Sequence, residues 1–235
     1  MIKADLIIKE AKKYHNHEKT AILERFFKTG PGQYGAGDVF WGLSVPQSRI
    51  IAKKYKDLSL VEVKKLLASP VHEIRLIGLL ILVEQFINGD VIKQRIVSHF
   101  YLKNTKYINN WDLVDVTCPR IVGEHLLDKD RSILYTFAKS KDLWKKRIAI
   151  LATFTFIREK QFEDTLNISK ILLKDEHDLI HKAVGWMLRE VGNKNQKVEE
   201  EFLKKHYLKM SRTMLRYAIE KFEEKKRQSY LKGNV

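Results

Sequence analysis

The sequence predicts an all-α protein built from short helices that stack as repeated pairs, a helical-repeat solenoid. Three observations predict this class. Apolar residues recur at helical spacing in almost every segment. No hairpin dipeptide separates alternating strands, and the 4 Pro and 11 Gly in 235 residues are too few for a chain of many tight turns. A short pattern also recurs at intervals of 34 and 35 residues, an interval typical of helical repeats.

The N-terminal segments illustrate how each element is assigned. Helices are predicted over 4–15 and 18–28 from apolar residues at helical spacing. Gly30–Asp38 contains four glycines and a proline and is therefore expected to be a loop. Pro46 suits the first turn of the next helix, which should end near Tyr55.

Capping residues set the helix starts that follow. Ser59 and Glu62 have the spacing of a capping box. Ser69 is expected to cap the next helix, with Pro70 at its first position. The helices predicted from this point on span 60–68, 70–86, 90–103, 111–117, 119–128, 130–139, 142–158, 161–173, 177–191, 196–208 and 211–228. Short loops and the lack of a low-complexity linker predict one domain over 1–235.

The recurring pattern is a cation followed by an apolar stretch that contains a small residue. It begins at Arg75, Arg147, Lys182 and Arg216, at intervals of 72, 35 and 34 residues, the first about twice the repeat unit. Equivalent positions of stacked repeats lie in a row, so these cations are expected to form a basic stripe on one face. The small residue would let the neighbouring helix pack closely. Chance recurrence of cations at solvent-exposed helix edges is the alternative.

The composition limits the classes of function. The formal net charge is +15, with 44 Lys and Arg against 29 Asp and Glu, which is consistent either with a polyanionic partner such as nucleic acid or with a solvated Lys-rich surface. The single Cys118 excludes an internal disulfide framework and a Cys-rich zinc module. Leu76–Val83 is the longest apolar run and is too short to span a bilayer. The first twenty residues have no signal-peptide core, so we expect an intracellular, cytoplasmic protein without membrane association.

Three motifs have simple structural interpretations. The glycines of Gly30–Gly37 lack a P-loop ending and indicate a flexible loop rather than a phosphate cradle. His177 and His181 share a helix face, but without a third ligand they indicate a solvated pair rather than a metal site. Cys118 is expected to be a small packing residue.

The segment Asn109–Asp115 carries a more specific pattern. Asn110 can cap a helix that places Trp111 and Asp115 four residues apart on one face. The alternative is a half-buried Trp with a carboxylate that stabilises the helix dipole. Further along, Trp186 follows Lys182, and Arg189 lies one turn beyond Gly185. By itself Trp186 would be assigned to the core.

Together these segments resemble the AlkD-like HEAT-repeat family of DNA alkylation repair proteins, which are alkylpurine DNA glycosylases. The resemblance rests on Trp111–Asp115, on Leu143–Leu151 and on Lys182–Glu190, whose order and intervals also match. It implies a right-handed helical-repeat crescent that holds duplex DNA in a basic concave groove. It further implies that Asp115 is the catalytic carboxylate, that Trp111 and Trp186 flank the damaged nucleotide, and that Arg147 holds a phosphate. With the stripe, the residues predicted to bind DNA are Arg75, Arg147, Lys182, Arg189 and Arg216.

One departure concerns the second helix. Some members of the family present a tyrosine there, whereas this chain reads Arg25-Phe26-Phe27-Lys28. The hydroxyl contact of those members is therefore not expected from this helix. The range of lesions could differ accordingly.

The chemistry of the predicted residues agrees with the resemblance. A purine alkylated at N3 or N7 is cationic and leaves without a general acid, so one carboxylate can suffice. We therefore expect a monofunctional glycosylase for such purines in duplex DNA, monomeric and without a metal or organic cofactor. A noncatalytic helical-repeat module that binds structured DNA or RNA is the alternative. A protein-binding scaffold is a third interpretation, and it predicts no salt-sensitive affinity for DNA.

Overall fold

The computed structural model describes residues 2–235, and regular structure in this range is helical. The helices are α1 (Ala4–Lys12), α2 (His17–Phe26), α3 (Val45–Lys54), α4 (Leu60–Leu67), α5 (His72–Ile87), α6 (Val91–Lys103), α7 (Trp111–Asp115), α8 (Glu124–Leu126), α9 (Ser132–Ala138), α10 (Leu143–Arg158), α11 (Glu163–Leu172), α12 (Asp178–Lys194), α13 (Gln196–His206), α14 (Arg212–Ala218) and α15 (Glu224–Lys232). Short 3₁₀ turns span Thr105–Tyr107, Tyr207–Lys209 and Ile219–Lys221, and a π turn spans Pro119–Gly123. Residues 2–235 contain no β-strand, only an isolated bridge between Val39 and Val71.

The chain divides into two compact units, one ending at His125 and one beginning at Leu126. The prediction of one domain over 1–235 stays a prediction. In the first unit, α5 is the central helix, with α3, α4 and α6 packed around it. Fourteen of its residues are buried, including charged ones. A helix that is apolar on all sides is expected to be surrounded by protein in this way.

The second unit shows the stacking of a helical repeat. Helix α10 packs on α12 and α12 packs on α14, while α9 and α11 flank α10 and α13 packs on α12. The recurring cation is the fifth residue of each stacked helix, at Arg147, Lys182 and Arg216. The predicted all-α class and the helical-repeat packing are therefore confirmed. The shared basic face stays a prediction.

The small residue of the pattern has the predicted role. A Cβ added to Gly185 in α12 would lie 2.4 Å from the carbonyl oxygen of Met214 in α14. In the first unit, a Cβ on Gly78 would lie 3.1 Å from the Cβ of Leu66 in α4. Both glycines therefore allow a neighbouring helix to approach closely.

Gly185→Ala should lower the free energy of unfolding by about 1–3 kcal/mol, because overpacking against a backbone carbonyl forces α12 and α14 apart. At an open helical position the same change would stabilise the protein by about 1 kcal/mol, since alanine has the higher helix propensity. Denaturant unfolding of the two proteins measures the difference. Equal or greater stability of the variant would contradict close packing at this contact.

The start of α5 differs from the prediction. Ser69 and Pro70 precede the helix, which begins at His72. Val39 donates its N–H to the carbonyl of Pro70, and His72 donates its N–H to the carbonyl of Val39, at 3.2 and 2.8 Å. This bridge holds the backbone of Val71 extended, and the helix cannot start before it. The hydroxyl of Ser69 accepts from Val71 instead of capping a helix.

The predicted capping box is only half formed. The hydroxyl of Ser59 accepts the N–H of Glu62. The carboxylate of Glu62 does not return to Ser59, because it accepts the N–H of Ala4 at the start of α1. A complete capping box is present elsewhere, between Ser44 and Gln47 at α3.

Two other segments predicted as single helices are interrupted. The segment 119–128 consists of the π turn followed by α8. The segment 211–228 is divided into α14, a 3₁₀ turn and α15. The interruption lies at Phe222, whose backbone is extended and whose ring is buried against Tyr230 at a centroid distance of 5.7 Å.

Candidate functional site in the first unit and candidate cations in the second

Helix α7 carries the predicted carboxylate and the first predicted Trp. The side chain of Asn110 accepts the N–H of Trp111 at 2.8 Å, so the predicted cap is confirmed. Leu113 and Val114 are fully buried and anchor the helix in the first unit. Trp111 and Asp115 lie one turn apart and are both half-buried. This arrangement leaves part of a carboxylate and part of an indole accessible from the same short helix.

An aromatic cluster holds the indole of Trp111. The ring of Phe27 stacks on it, with centroids 5.2 Å apart and planes 26° apart. The ring of Phe26 meets it edge to face at 5.7 Å and is 60% exposed. Trp111 donates its Nε1–H to the hydroxyl of Tyr34 at 3.2 Å. The hydroxyl at this site therefore comes from the glycine-rich loop, whereas Phe26 is the last residue of α2 and Phe27 follows it directly.

A buried polar network joins α7 to α5. The Nε2 atom of His72 lies 2.8 Å from a carboxylate oxygen of Asp112, and its Nδ1 atom lies 3.4 Å from Asp38. Asn109 also donates to Asp38, at 3.2 Å. The side chains of His72 and Asp38 are 2% and 4% exposed. Asn109, two residues before α7, is thus held by Asp38 at the end of the loop, and Asp112, the second residue of α7, is held by His72 of α5.

The charges of this network are coupled. Burial lowers the pKa of His72. The negative charge of Asp112 and the hydrogen bonds that His72 makes with Asp112 and Asp38 outweigh burial and raise the pKa of His72 to about 9. Burial raises the pKa of Asp38, while its hydrogen bond to His72 and the charge of Arg75 lower it below the usual value. At neutral pH His72 is therefore a buried cation between two carboxylates.

A second buried carboxylate holds the segment between the glycine-rich loop and α3. Glu73 in α5 accepts the backbone N–H groups of Trp41, Gly42 and Leu43 at 2.8–3.2 Å. Glu73 is 2% exposed. Backbone donors satisfy this buried charge, so the segment leading into α3 is fixed to α5.

Arg75, one of the cations predicted to bind DNA, is part of the buried network. This residue is 4% exposed, and its Nη1 donates to the carbonyls of Ser69 and Pro70. Its Nη2 lies 2.7 Å from Asp38, at an ion-pair distance without hydrogen-bond geometry. Buried arginines are held by such partners. Arg75 therefore stabilises the network beneath α7, and its predicted contact with a DNA phosphate stays a prediction.

In the second unit, Trp186 is half-buried in α12. Its Nε1–H donates to Glu190 at 3.0 Å, one turn further along the helix. Its ring lies 5.9 Å from that of Phe154 in α10. Trp186 is thus partly accessible, and its predicted contact with a nucleotide stays a prediction.

The predicted cations of the second unit differ in their surroundings. Arg147 is 5% exposed, and its Nη1 donates to the carbonyl of Leu179 at 2.6 Å. Lys182 pairs with Asp178 at 2.8 Å. Arg189 pairs with Glu220 and lies 3.7 Å from Glu190. Arg216 is exposed.

Sequence reasoning missed two parts of the site in the first unit. One part is the polar network, whose members His72, Asp38 and Asp112 are separated by 34 and 40 residues. No local pattern marks such contacts. The other part is Tyr34, for which a signal existed: it is an aromatic residue inside a glycine-rich loop.

The histidine pair and the cysteine noted in the sequence make structural contacts. His177 caps α12 by accepting the N–H of Leu179, and His181 contacts the carbonyl of Asp175. Cys118 is fully buried, as predicted, and burial together with the charge of Asp115 raises the pKa of its thiol. Within residues 2–235 no group of three or more His, Cys, Asp or Glu side chains could hold a metal ion. No helix in the same range has both the length and the apolar character to cross a membrane.

Comparison with known proteins identifies the family of this chain. The family model described as "DNA alkylation repair enzyme" matches residues 7–222. A solved structure entitled "Predicted DNA alkylation repair enzyme from Enterococcus faecalis" has a similar fold, with a TM-score of 0.70 and 16% sequence identity. The match covers 89% of this chain and 97% of that one. No curated protein sequence matches the chain. The family match covers most of the chain, and the chain therefore belongs to the DNA alkylation repair enzyme family.

Proposed function

We propose that the protein is a monofunctional DNA glycosylase that hydrolyses the N-glycosidic bond of cationic N3- and N7-alkylated purines in duplex DNA. The observation that carries this proposal is the placement of Asp115 and Trp111 one turn apart on α7, both partly accessible. A carboxylate beside an indole suits a reaction in which positive charge moves from base to sugar. The family membership and the net charge of +15 support DNA as the substrate.

The reaction needs few protein groups. The bond between C1′ and the purine nitrogen breaks, and its electron pair moves to the base, which leaves as a neutral molecule. The deoxyribose becomes oxocarbenium-like, and the negative charge of Asp115 would stabilise it. Water then attacks C1′ with Asp115 as its orienting acceptor, and the released proton passes to solvent. No group must protonate the leaving base, because alkylation has already made it cationic.

The remaining residues of the proposal are two tryptophans and the predicted cations. Trp111 and Trp186 would contact the cationic nucleotide through their ring faces, each contributing about 0.5–2 kcal/mol. Phosphate contacts position DNA without specifying its sequence, and the cations proposed to make them are Arg75, Arg147, Lys182, Arg189 and Arg216. We further propose that the enzyme acts in the cytoplasm as a monomer, without a metal or organic cofactor.

The direct test is release of free base from methylated duplex DNA. Wild-type protein should liberate 7-methylguanine and 3-methyladenine well above the spontaneous rate, measured by chromatography, and should not release uracil from a uracil-containing duplex. Uracil is neutral and needs activation of the leaving group. Salt-sensitive DNA binding without release of alkylated bases would instead establish the noncatalytic binding module.

The affinity for DNA should depend steeply on salt. If about six phosphates are neutralised, the affinity should fall about 10³-fold between about 50 and 200 mM salt. Arg216→Ala should make the slope of this dependence shallower by about one, because this exposed cation would release one counterion. Fluorescence anisotropy with a labelled duplex measures both quantities. A salt-independent affinity would contradict phosphate binding and favour the protein scaffold.

A further inference from the structure

The glycine-rich loop Gly30–Asp38 lies against the site in the first unit, although the proposed reaction gives it no role. The N–H of Gly35 donates to the carbonyl of Lys28 at 3.2 Å, just after α2. A Cβ added to Gly35 would lie 2.4 Å from the carbonyl oxygen of Phe27. Only a glycine allows the loop to approach the end of α2 this closely.

Both ends of the loop are anchored. At its C-terminal end, Asp38 is held by His72 and Arg75 in α5 and by Asn109 before α7. At its N-terminal end, Thr29 donates its N–H to the carbonyl of Glu24 in α2. Tyr34 therefore projects from a segment whose ends are tied to the elements that carry Phe26, Phe27 and Trp111.

The hydroxyl of Tyr34 makes the polar contact of the Trp111 indole. It accepts the Nε1–H of Trp111 at 3.2 Å and donates toward the carbonyl of Phe26 at 3.5 Å. Phe27 stacks on one face of the indole, so a ligand must use the other face or the remaining edge. Stacking alone lets the indole slide and turn in its own plane, whereas the hydrogen bond holds its edge at one point.

We propose that Tyr34 is a positioning residue for recognition of the cationic base: it fixes the plane and rotation of Trp111 through the indole N–H. The inference rests on the proposed function, because the cation it concerns is the alkylated purine. A cation is attracted only when it lies over the ring face within about 6 Å of the centroid. If the indole of Trp111 turns away from that geometry, it loses its cation–π attraction for the base. The position and charge of the Asp115 carboxylate do not change.

The contact itself can be tested without DNA. In a ¹H–¹⁵N spectrum, Tyr34→Phe should shift the indole resonance of Trp111, which is assigned by its disappearance in Trp111→Phe. The control is Tyr14→Phe, which removes a hydroxyl from an exposed tyrosine elsewhere in the first unit and should leave this resonance in place. An unshifted resonance in Tyr34→Phe would overturn the proposal, whatever the protein does to DNA.

The effect on recognition is then measured by binding. The probe is a duplex with one 2′-fluoro-7-methyldeoxyguanosine, which is cationic and resists cleavage because the fluorine disfavours the sugar cation. Tyr34→Phe should weaken binding of this duplex about 3- to 10-fold, the range for loss of one hydrogen bond. Binding of the unmodified duplex should change less than about twofold, as should binding of either duplex by Tyr14→Phe.

A double-mutant cycle with Trp111→Phe separates positioning from a general structural effect. If Tyr34 acts through the indole N–H, Tyr34→Phe should have less than about a twofold effect in the Trp111→Phe background. An equal loss in both backgrounds would overturn the proposal. Because the readouts are a resonance and a binding constant, they remain decisive if no base is released. In that case only the proposed excision reaction would fail.

Discussion

Asp115→Asn should slow release of 7-methylguanine by about 10²- to 10³-fold, the cost of removing one preorganised group that stabilises developing charge. Asparagine keeps the shape of the side chain and loses the negative charge that would face the sugar cation. Affinity for the lesion-containing duplex should change little or rise, because a carboxylate repels phosphate. Single-turnover kinetics on a duplex with one 7-methylguanine measures the rate independently of binding.

Asp57→Asn is the matched control, since it removes the same charge from an exposed position of the same unit. Its rate should equal that of the wild type. Lower pH should not rescue Asp115→Asn, because the leaving base is already cationic and gains nothing from protonation. If Asp115→Asn releases 7-methylguanine as fast as the wild type, Asp115 is not the catalytic carboxylate.

His72→Phe should lower the free energy of unfolding by about 3–5 kcal/mol near pH 6, the range for removing one partner of a buried ion pair. Phenylalanine keeps a ring in place of the imidazole, which stacks on Phe40 at a centroid distance of 4.6 Å. The substitution removes the cation between Asp112 and Asp38 and leaves both carboxylates without it. Urea unfolding followed by circular dichroism measures the change.

The pH dependence gives this prediction a second check. The pKa of His72 is raised from 6.5 to about 9 on folding, so the folded protein holds this proton more tightly than the unfolded chain. Its stabilisation is complete below the unfolded pKa and is lost as the pH rises through the folded one. The difference between wild type and His72→Phe should therefore shrink between about pH 6 and pH 9.5.

His99→Phe provides the control, because His99 is exposed in α6 and contacts a backbone carbonyl rather than a carboxylate. A surface change of this kind should alter the unfolding free energy by less than about 0.5 kcal/mol. A constant difference between wild type and His72→Phe from pH 6 to pH 9.5 would show that His72 is not a buried cation.

Most helices could be predicted because their determinants lie close together in the chain. Apolar spacing marks α10 and α12, and the caps Asn110 and Ser59 act on residues at most three positions away. The errors occur where a distant contact competes with the local signal. The bridge between Val39 and Val71 makes α5 begin at His72 instead of Pro70. Burial of the Phe222 ring against Tyr230 interrupts the predicted last helix.

In the candidate site, too, local contacts could be predicted from the sequence and distant contacts could not. Trp111 and Asp115 could be recognised because a helical turn brings residues four apart onto one face. The ion pair of Arg75 could not be predicted, because its partner Asp38 lies 37 positions away. Tyr34 was overlooked although it is an aromatic residue inside a glycine-rich loop, because no local pattern indicates that this loop meets an indole 77 residues further along.

The sequence by itself determined the all-α class, the repeat interval, the positions of the stacked helices and the pair Trp111 and Asp115. Periodicity and capping are interactions within one or two helical turns, so a linear pattern contains them. The tertiary structure alone decided which charged residues are buried and which remain accessible. Burial and ion pairing depend on side chains brought together from distant positions, as His72, Asp38 and Asp112 are, and a buried charge is stable only where folding supplies its partners.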